Sequence, residues 1–243
     1  MKIFLNMLVA IGVATAITSC NGNAAKTDET TKDTLVTNTT TAMVTPSATP
    51  EVVVPFDVIE VRHTIKDYAT WKPIFEADSA NRAAAGLQAI ALGRIIDKPN
   101  DILIVMKTTD IQKAKDFSTN PVLKATMDKA GVISKPTTQL WHIIRFNPDS
   151  KEKQWVEVTH KVKDFDAWLK VYDAEGKDKR MSEGMVDVAL GRGIDDSNMV
   201  KIVFDITDMA KAKAAIASDE KKKLMQSAGV IGIPDIKYYT KGE

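Results

Sequence analysis

The chain contains few of the residues that build metal and redox sites. Its 243 residues include one cysteine and three histidines, which excludes a disulfide framework and a cysteine-based zinc or iron–sulfur site. A histidine-cluster metal site is also not expected, and we predict neither a metal nor a cofactor. Lys and Arg total 33 against 32 for Asp and Glu, so the basic excess of nucleic-acid-binding proteins is missing. The 44% hydrophobic and 27% charged content is typical of a globular protein.

The single cysteine ends a short apolar segment at the N-terminus. After Lys2 the chain is largely apolar through Ala16, which is typical of a secretory signal peptide and too short for a comfortable membrane span of about 20 residues. The segment 17–20 reads ITSC and resembles a bacterial lipobox, although an ordinary signal peptide with an incidental cysteine is the alternative. We expect a signal peptide over 1–19, lipidation of Cys20 and a membrane anchor in the cell envelope. Asn21 favours the outer membrane.

Residues 20–54 predict a disordered tether. They are rich in Thr, Asn, Ala and Ser and contain no aromatic residue, so they cannot bury enough apolar surface to offset the entropy of the chain.

The remainder is an internal repeat. Residues 61–71 read VRHTIKDYATW and residues 158–168 read VTHKVKDFDAW, at an offset of 97. The blocks ALGRIID and ALGRGID, then AGVI twice before a proline, follow in the same order at an offset of 98. One inserted residue near Gly184 would explain the change. The pattern predicts two homologous domains, 55–147 and 153–241.

Each copy predicts the order β-α-β-β-α-β, which is the ferredoxin-like unit. Residues 58–64 alternate between apolar and polar side chains, which predicts a strand. Asp67 and Asp164 then predict helix N-caps, and Gly86 predicts the end of the first helix. Residues 97–100 have turn chemistry, and Pro121 is predicted to break and restart the second helix.

Together these motifs resemble the antibiotic-biosynthesis-monooxygenase-like and cyclase-like members of the dimeric α/β-barrel superfamily. The resemblance covers both repeats. It implies an α+β fold in which two ferredoxin-like sheets pair into a barrel, here within one chain. The superfamily includes cofactor-free monooxygenases, cyclases, haem-degrading enzymes and isomerase-like proteins, so fold does not choose function. No motif tied to oxygen or polyketide chemistry is found in this chain.

Two pairs of equivalent polar residues are candidates for a site. His63 and His160 are candidate general bases because a neutral imidazole accepts protons near pH 7; alternatively they are core residues that extend an apolar face. Arg94 and Arg192 follow a repeated Ala-Leu-Gly and are candidate ligand-binding residues for a carboxylate or phosphate. The alternative is an ion pair with a nearby aspartate or the opposite strand.

A second set is predicted to face the barrel lumen. Glu60, Arg62 and Glu157 lie on the strand face opposite the apolar one, and a Glu in such a lumen can have a raised pKa and act as an acid or base. Alternatively, the Glu and a basic neighbour neutralise each other. Trp141 and Tyr239 occupy matching positions on the fourth strands, as core or as cavity wall. All five are candidate ligand-binding residues.

We therefore interpret the chain as a lipid-anchored module that binds a small apolar or acidic molecule in a cavity between the repeats. It is expected to be a monomer and not to bind nucleic acid. The first alternative is a cofactor-free enzyme of monooxygenase, cyclase or isomerase type. The second is a structural or interaction protein, which predicts a filled barrel without a cavity of roughly 300 Å³.

Overall fold

The computed structural model of the protein describes residues 55–242. The predicted signal peptide, Cys20 and the predicted tether therefore lie outside the described residues. Within the described range, no helix is both long enough and apolar enough to span a bilayer.

Each repeat contains four strands and four short helices. The first repeat comprises β1 (Phe56–Thr64), α1 (Tyr68–Ala77), α2 (Ser79–Ala84), β2 (Leu87–Ile95), β3 (Lys98–Thr108), α3 (Ile111–Ser118), α4 (Pro121–Lys129) and β4 (Thr137–Phe146). The second comprises β5 (Gln154–Val162), α5 (Phe165–Glu175), α6 (Lys177–Ser182), β6 (Met185–Gly193), β7 (Met199–Ile206), α7 (Met209–Ala217), α8 (Asp219–Ser227) and β8 (Val230–Lys241).

Aspartates start the helices as predicted. The side chains of Asp67 and Asp164 accept hydrogen bonds from the backbone N–H groups of Thr70 and Ala167. These bonds satisfy donors that have no partner inside the helix. Pro121 begins α4, also as predicted, because a proline at the first helical position removes only an N–H that has no partner there.

The first helix of each repeat differs from the prediction because it is two helices. In repeat 1, Asp78 ends α1 and precedes α2, and its carboxylate accepts a hydrogen bond from Asn81 Nδ2 at 2.6 Å. Such local bonding by an aspartate competes with the helical backbone. In repeat 2 the break is at Gly176, which has a φ of +83°. The inserted residue of repeat 2 lies at this break, earlier than the predicted place near Gly184.

The turn predicted at residues 97–100 is also displaced. The turn is at Ile96 and Asp97, and β3 already begins at Lys98. Pro99 is tolerated in this strand because it lies at the strand's beginning, where the missing N–H is not needed for pairing.

The eight strands form one closed antiparallel barrel in the order β1-β3-β2-β8-β5-β7-β6-β4. This confirms the predicted intramolecular barrel of two ferredoxin-like repeats. The repeats meet at two seams. Strand β4 pairs with β6 over five residue pairs, whereas β2 pairs with β8 over three. Equivalent strands lie four places apart in the ring and run in the same direction, so the approximate two-fold axis follows the barrel axis.

The strands bury both of their faces. Ile59, Val156 and their alternating neighbours face outward, and the outer face of each half-barrel packs on its own helices around Trp71 or Trp168. The opposite strand face points into the lumen, where smaller apolar clusters contain Trp141 and Tyr239. A sheet covered on both sides explains how charged side chains of β1 and β5 come to lie in the interior.

Candidate functional site in the barrel interior

Four charged side chains meet in the lumen. Glu60 and Glu157, at equivalent positions of the two repeats, each form an ion pair with Lys201 and with Arg62. Glu60, Glu157 and Lys201 are almost fully buried. Two carboxylates and two cations give a balanced group, as burial of charge requires.

The network shifts the proton affinities of its members. Burial, and then the neighbouring carboxylate of Glu157, raise the pKa of Glu60 above its usual value, although Lys201 and Arg62 oppose this. Burial lowers the pKa of Arg62, but Glu157 and Glu60 more than offset it, so the net shift is upward. The raised carboxyl pKa anticipated for a lumen Glu is therefore found at Glu60.

Two aromatic residues border the network. Tyr239 is fully buried, and its hydroxyl accepts a hydrogen bond from Arg62 Nε at 3.2 Å. Trp141, its counterpart in repeat 1, has its ring centre 5.1 Å from Lys201 Nζ, and its indole N–H has no hydrogen-bond partner. Arg62 also donates to Gln139 Oε1 at 2.8 Å. The residues predicted to face the lumen thus lie around one cluster.

A cavity of about 330 Å³ opens between the repeats next to this network. Its charged side chains are Glu157, Lys201, Asp205 and Lys241, and apart from Asn147 and Ser150 the rest of the wall is mostly apolar. The apolar wall includes residues from seven strands, among them Phe56, Val58, Leu92, Leu103, Val105, Ile143, Phe146, Trp155, Ala189 and Val203. The combination of apolar walls with a few polar groups is typical of small-molecule sites.

The segment that joins the repeats lies at the mouth of the cavity. Asn147, Pro148 and Ser150 line the mouth. Asp205 fixes this segment because its carboxylate accepts hydrogen bonds from Ser150 Oγ at 2.8 Å and from the backbone N–H of Glu152 at 3.4 Å. One lining carboxylate is therefore occupied by the linker, which leaves Lys201 and Glu157 as the polar groups nearest the floor.

The candidate bases His63 and His160 are not in this cavity. Both lie between the sheet and the helices of their own repeat, His63 beside Trp71 and His160 beside Trp168. Each lines a smaller cavity, of about 70 Å³ in repeat 1 and about 60 Å³ in repeat 2. Their ring nitrogens are buried without hydrogen-bond partners. Burial lowers the pKa of each imidazole to about 4, so both are neutral at pH 7.

Arg94 and Arg192 also lie outside the lumen. Arg94 stacks on Tyr68, with its guanidinium carbon 4.2 Å from the ring centre, and donates to the Pro99 carbonyl at 2.8 Å. Arg192 stacks on Phe165 at 4.6 Å. The described residues contain no ion pair of either arginine with Asp97 or Asp195, which was one part of the alternative to ligand binding. The other part, contact with the opposite strand, is found for Arg94, because Pro99 belongs to β3.

Sequence reasoning missed Lys201, the residue that joins the two carboxylates. It stands in an apolar strand, Val200–Val203, at the position where repeat 1 has Leu103. A single charge inside a buried strand needs a partner, and this was the available signal. Asp205 and Trp155 were missed for a different reason, since neither is repeated: Lys107 and Val58 stand at their positions in repeat 1.

Comparison with known proteins supports the fold. No family model matches the chain, and a search of curated proteins finds no match. A proposed monooxygenase from Lactobacillus acidophilus NCFM superposes with a TM-score of 0.51 at 15% identity, covering 76% of this chain and 94% of that chain. A proposed monooxygenase from Fusobacterium nucleatum superposes at 0.53 with 12% identity, over 79% and 94%. An anthrone oxidase-like protein superposes at 0.50 with 12% identity, over 77% and 92%.

The coverage of each match is larger than one repeat, so both repeats are matched by a single chain. At these identities the likeness shows the fold alone. The resemblance seen in the sequence is confirmed at that level: the chain has the dimeric α/β-barrel fold, built from two ferredoxin-like repeats and closed within one polypeptide.

Proposed function

We propose that the chain binds a small, largely apolar molecule in the cavity between its two repeats. The observation that carries this proposal is the cavity of about 330 Å³, with apolar walls and a buried charged floor. Its volume falls within the range of about 300–1,000 Å³ found for ligand sites. It also exceeds the limit below which a structural role would be favoured.

The floor indicates what the polar end of the ligand can be. Lys201 and Arg62 are already balanced by Glu60 and Glu157, so a fully charged group placed against this floor would leave one charge uncompensated. An uncharged or weakly acidic polar group can share hydrogen bonds with Lys201 without this cost. We therefore favour a ligand with one such group on an apolar body.

The test is native mass spectrometry of the full-length protein purified from its own cell envelope. We expect an additional mass that leaves on denaturation. Ala189 lines the cavity, so Ala189→Trp should fill it and remove the additional mass. Ala125→Trp, at an exposed site on α4, is the matched control and should retain it. A bare protein that also takes up no apolar probe, or an additional mass unchanged by Ala189→Trp, contradicts the proposal.

The second candidate is an enzyme of the type suggested by the neighbours described as monooxygenases. It is favoured by one observation, the unpartnered ring nitrogens of His63 and His160 beside small cavities. An imidazole with a pKa of about 4 is a weak base at pH 7, which places this candidate second. Turnover of a ligand identified above that is lost in His63→Gln and His160→Gln would reverse the order.

The proposal includes attachment to the envelope through lipid on Cys20, with the folded body outside the cytoplasm and the outer membrane as the favoured site. It is supported by the cysteine's position at the end of an apolar N-terminal segment. Cys20→Ala should leave the chain unprocessed and without incorporated fatty acid. Normal labelling of this variant with a radioactive fatty acid contradicts it.

A further inference from the structure

The two repeats differ at the outer surface where the last helices meet the last strand. In repeat 2, α7, α8 and the first half of β8 enclose a groove of about 590 Å³. Ile216, Met225 and Ile236 form part of its apolar surface. Ile233 stands at its edge with 95% of the residue exposed. A large aliphatic side chain this exposed, beside an apolar groove, is typical of a binding surface.

The charges around this groove have one sign. Its lining contains Lys213 and Lys222 and no carboxylate. Lys213 Nζ lies 5.0 Å from the centre of the Tyr238 ring, and within residues 55–242 it has no carboxylate within ion-pair distance. Lys222 pairs with Asp219 at 3.1 Å on the exposed side of α8, and Asp219 is not part of the lining. The groove therefore combines an apolar surface with two lysines, of which Lys222 shares its charge with Asp219 and Lys213 has no ion-pair partner in the described range.

Repeat 1 has different residues at the equivalent positions, and its last strand begins only at Thr137, whereas β8 begins at Val230. Ser118 and Thr138 stand where the groove has Ile216 and Ile236, and Lys135 stands where it has Ile233. Three polar side chains thus replace three isoleucines, so this surface is more apolar in repeat 2 than in repeat 1.

The two lysines of repeat 1 at the positions of Lys213 and Lys222 both form ion pairs, whereas in the described part of repeat 2 only Lys222 does. Lys115 pairs with Asp195 at 3.2 Å, and Lys124 pairs with Asp128 at 2.8 Å. Repeat 2 has Gln226 at the position of Asp128. Repeat 1 folds with Asp128 in place and without the three isoleucines. Folding of a repeat therefore requires neither the apolar residues of this surface nor the loss of the carboxylate.

We propose that this groove binds a single-chain amphiphile with an anionic head group, such as a long-chain alkyl carboxylate. The alkyl chain packs on Ile216, Met225 and Ile236, and the carboxylate lies between Lys213 and Lys222. A concave site favours one alkyl chain over a flat membrane surface. The groove shares no lining residue with the cavity between the repeats, so this is a second site.

The experiment uses the full-length protein in nanodiscs of zwitterionic phosphatidylcholine. A photoreactive dodecanoate with a diazirine on its chain is crosslinked, and the labelled peptides are mapped by mass spectrometry. We expect labels on α7, α8 and the first half of β8, competed by free dodecanoate. Decanoate and octanoate should compete about fourfold less well for each methylene removed. Dodecyltrimethylammonium should compete at least tenfold less well than dodecanoate.

Two substitutions place the residues of repeat 1 in the groove. Ile233→Lys and Gln226→Asp are both at exposed positions, so the variant should fold, and together they should weaken competition by dodecanoate at least tenfold. Asp128→Gln, the reverse change in repeat 1, should have no effect. Undiminished labelling in the Ile233→Lys/Gln226→Asp variant overturns the proposal. Labelling that is lost only in the lumen variant Ala189→Trp also overturns it. So does equal competition by the cationic amphiphile, or binding to anionic vesicles with no labelling of the groove.

Discussion

The space beneath the helices is filled differently in the two repeats. In repeat 1 it is mostly apolar, and Phe75 and Leu123 are among its lining residues. In repeat 2, ion pairs cross the equivalent space. Arg180 donates to both carboxylate oxygens of Asp187 at 2.8 and 2.7 Å, and Lys221, at the position of Leu123, pairs with Glu175 and with Glu183.

This difference shows that one backbone accepts either filling, provided that every buried charge has a partner. Packed side chains and paired charges can substitute for each other in a core at similar net stability. They differ in tolerance, because removing one partner of an ion pair leaves the other unpaired in a buried place. Repeat 2 should therefore tolerate fewer substitutions beneath its helices. Repeat 1 should be the half whose packing can adapt to an apolar ligand.

The largest expected effect on the free energy of unfolding comes from replacing Lys201 with leucine, the residue that stands at its position in repeat 1 as Leu103. Lys201→Leu should lower the free energy of unfolding by about 3–5 kcal/mol, because Glu60 and Glu157 then face each other with only Arg62 between them. Urea denaturation at pH 7 measures this. Adding Glu60→Gln should recover much of the loss, and a variant as stable as the parent would contradict the role given to Lys201.

The same variant should respond to pH. The pKa of Glu60 is raised, so the folded state binds this proton more tightly than the unfolded state. The stability linked to it is highest below the ordinary carboxyl pKa and is lost as pH rises through the raised value. The deficit of Lys201→Leu should accordingly shrink as the pH is lowered from 7.

A smaller difference is expected between Arg180 and Arg82. Arg180→Met should lower the free energy of unfolding by about 3 kcal/mol, since it leaves Asp187 without its cation and Glu175 with Lys221 alone. Arg82 donates to the Phe75 carbonyl at 2.6 Å and lies 3.6 Å from Asp78, so Arg82→Met should cost about 1.5–3 kcal/mol. The unfolding midpoints of the two variants in guanidinium chloride measure these losses. Equal losses would contradict the difference drawn between the apolar space of repeat 1 and the ion-paired space of repeat 2.

The buried histidines should make equal contributions in the two repeats. Their pKa values of about 4 lie below the ordinary value, so their stability is fully present above about pH 6.5 and is lost as pH falls toward 4. At pH 5 the free energy of unfolding should be lower than at pH 7.5 by about 2 kcal/mol for each histidine. His63→Leu and His160→Leu should each remove one histidine's contribution to the dependence of the unfolding free energy on pH.

The control for this series is His142→Leu, because the His142 side chain is 44% exposed and pairs with Asp57 at 2.7 Å. Unfolding measured between pH 5 and 7.5 compares the variants. If the doubly substituted protein keeps the parent's slope, the histidines are not the cause.

The smallest effects concern the equivalent glycines of β2 and β6. A Cβ on Gly93 would lie 2.6 Å from Cζ2 of Trp155, whereas a Cβ on Gly191 would lie 2.8 Å from the His142 carbonyl oxygen. Each alanine should cost about 1–3 kcal/mol, and Gly191→Ala should cost more because backbone moves aside less readily than a ring. Near-ultraviolet circular dichroism should change mainly for Gly93→Ala, and the opposite order of the losses would contradict this.

The sequence predicted the fold because the fold depends on patterns that survive in both copies. The alternation in β1 and β5 placed Glu60 and Glu157 in the lumen and the histidines on the helix side. The glycine of the repeated Ala-Leu-Gly leaves room for another group in each repeat, and at Gly93 that group is the Trp155 ring. Arg94 was assigned to a ligand because a stacking partner such as Tyr68, from another element, is invisible to local spacing.

The site was harder to predict than the fold. Lys201 breaks the symmetry of the repeats, so matching the copies directed attention away from it. The size of the cavity depends on how apolar side chains from seven strands fill the lumen. A change of one side chain, such as Ala189 to a larger residue, alters the cavity without altering any motif.

The unequal seams of the barrel have a consequence for how a guest reaches the interior. Only three residue pairs join β2 to β8, against five between β4 and β6, so local opening should begin at the shorter seam. Leu92 and Gly242 lie there and line the cavity. The amide hydrogens of Ile96 and Gly242, which donate across this seam to Tyr238 and Leu92, should then exchange with solvent earlier than those of the β4–β6 seam. This local opening provides an entry route that leaves the remaining strands paired.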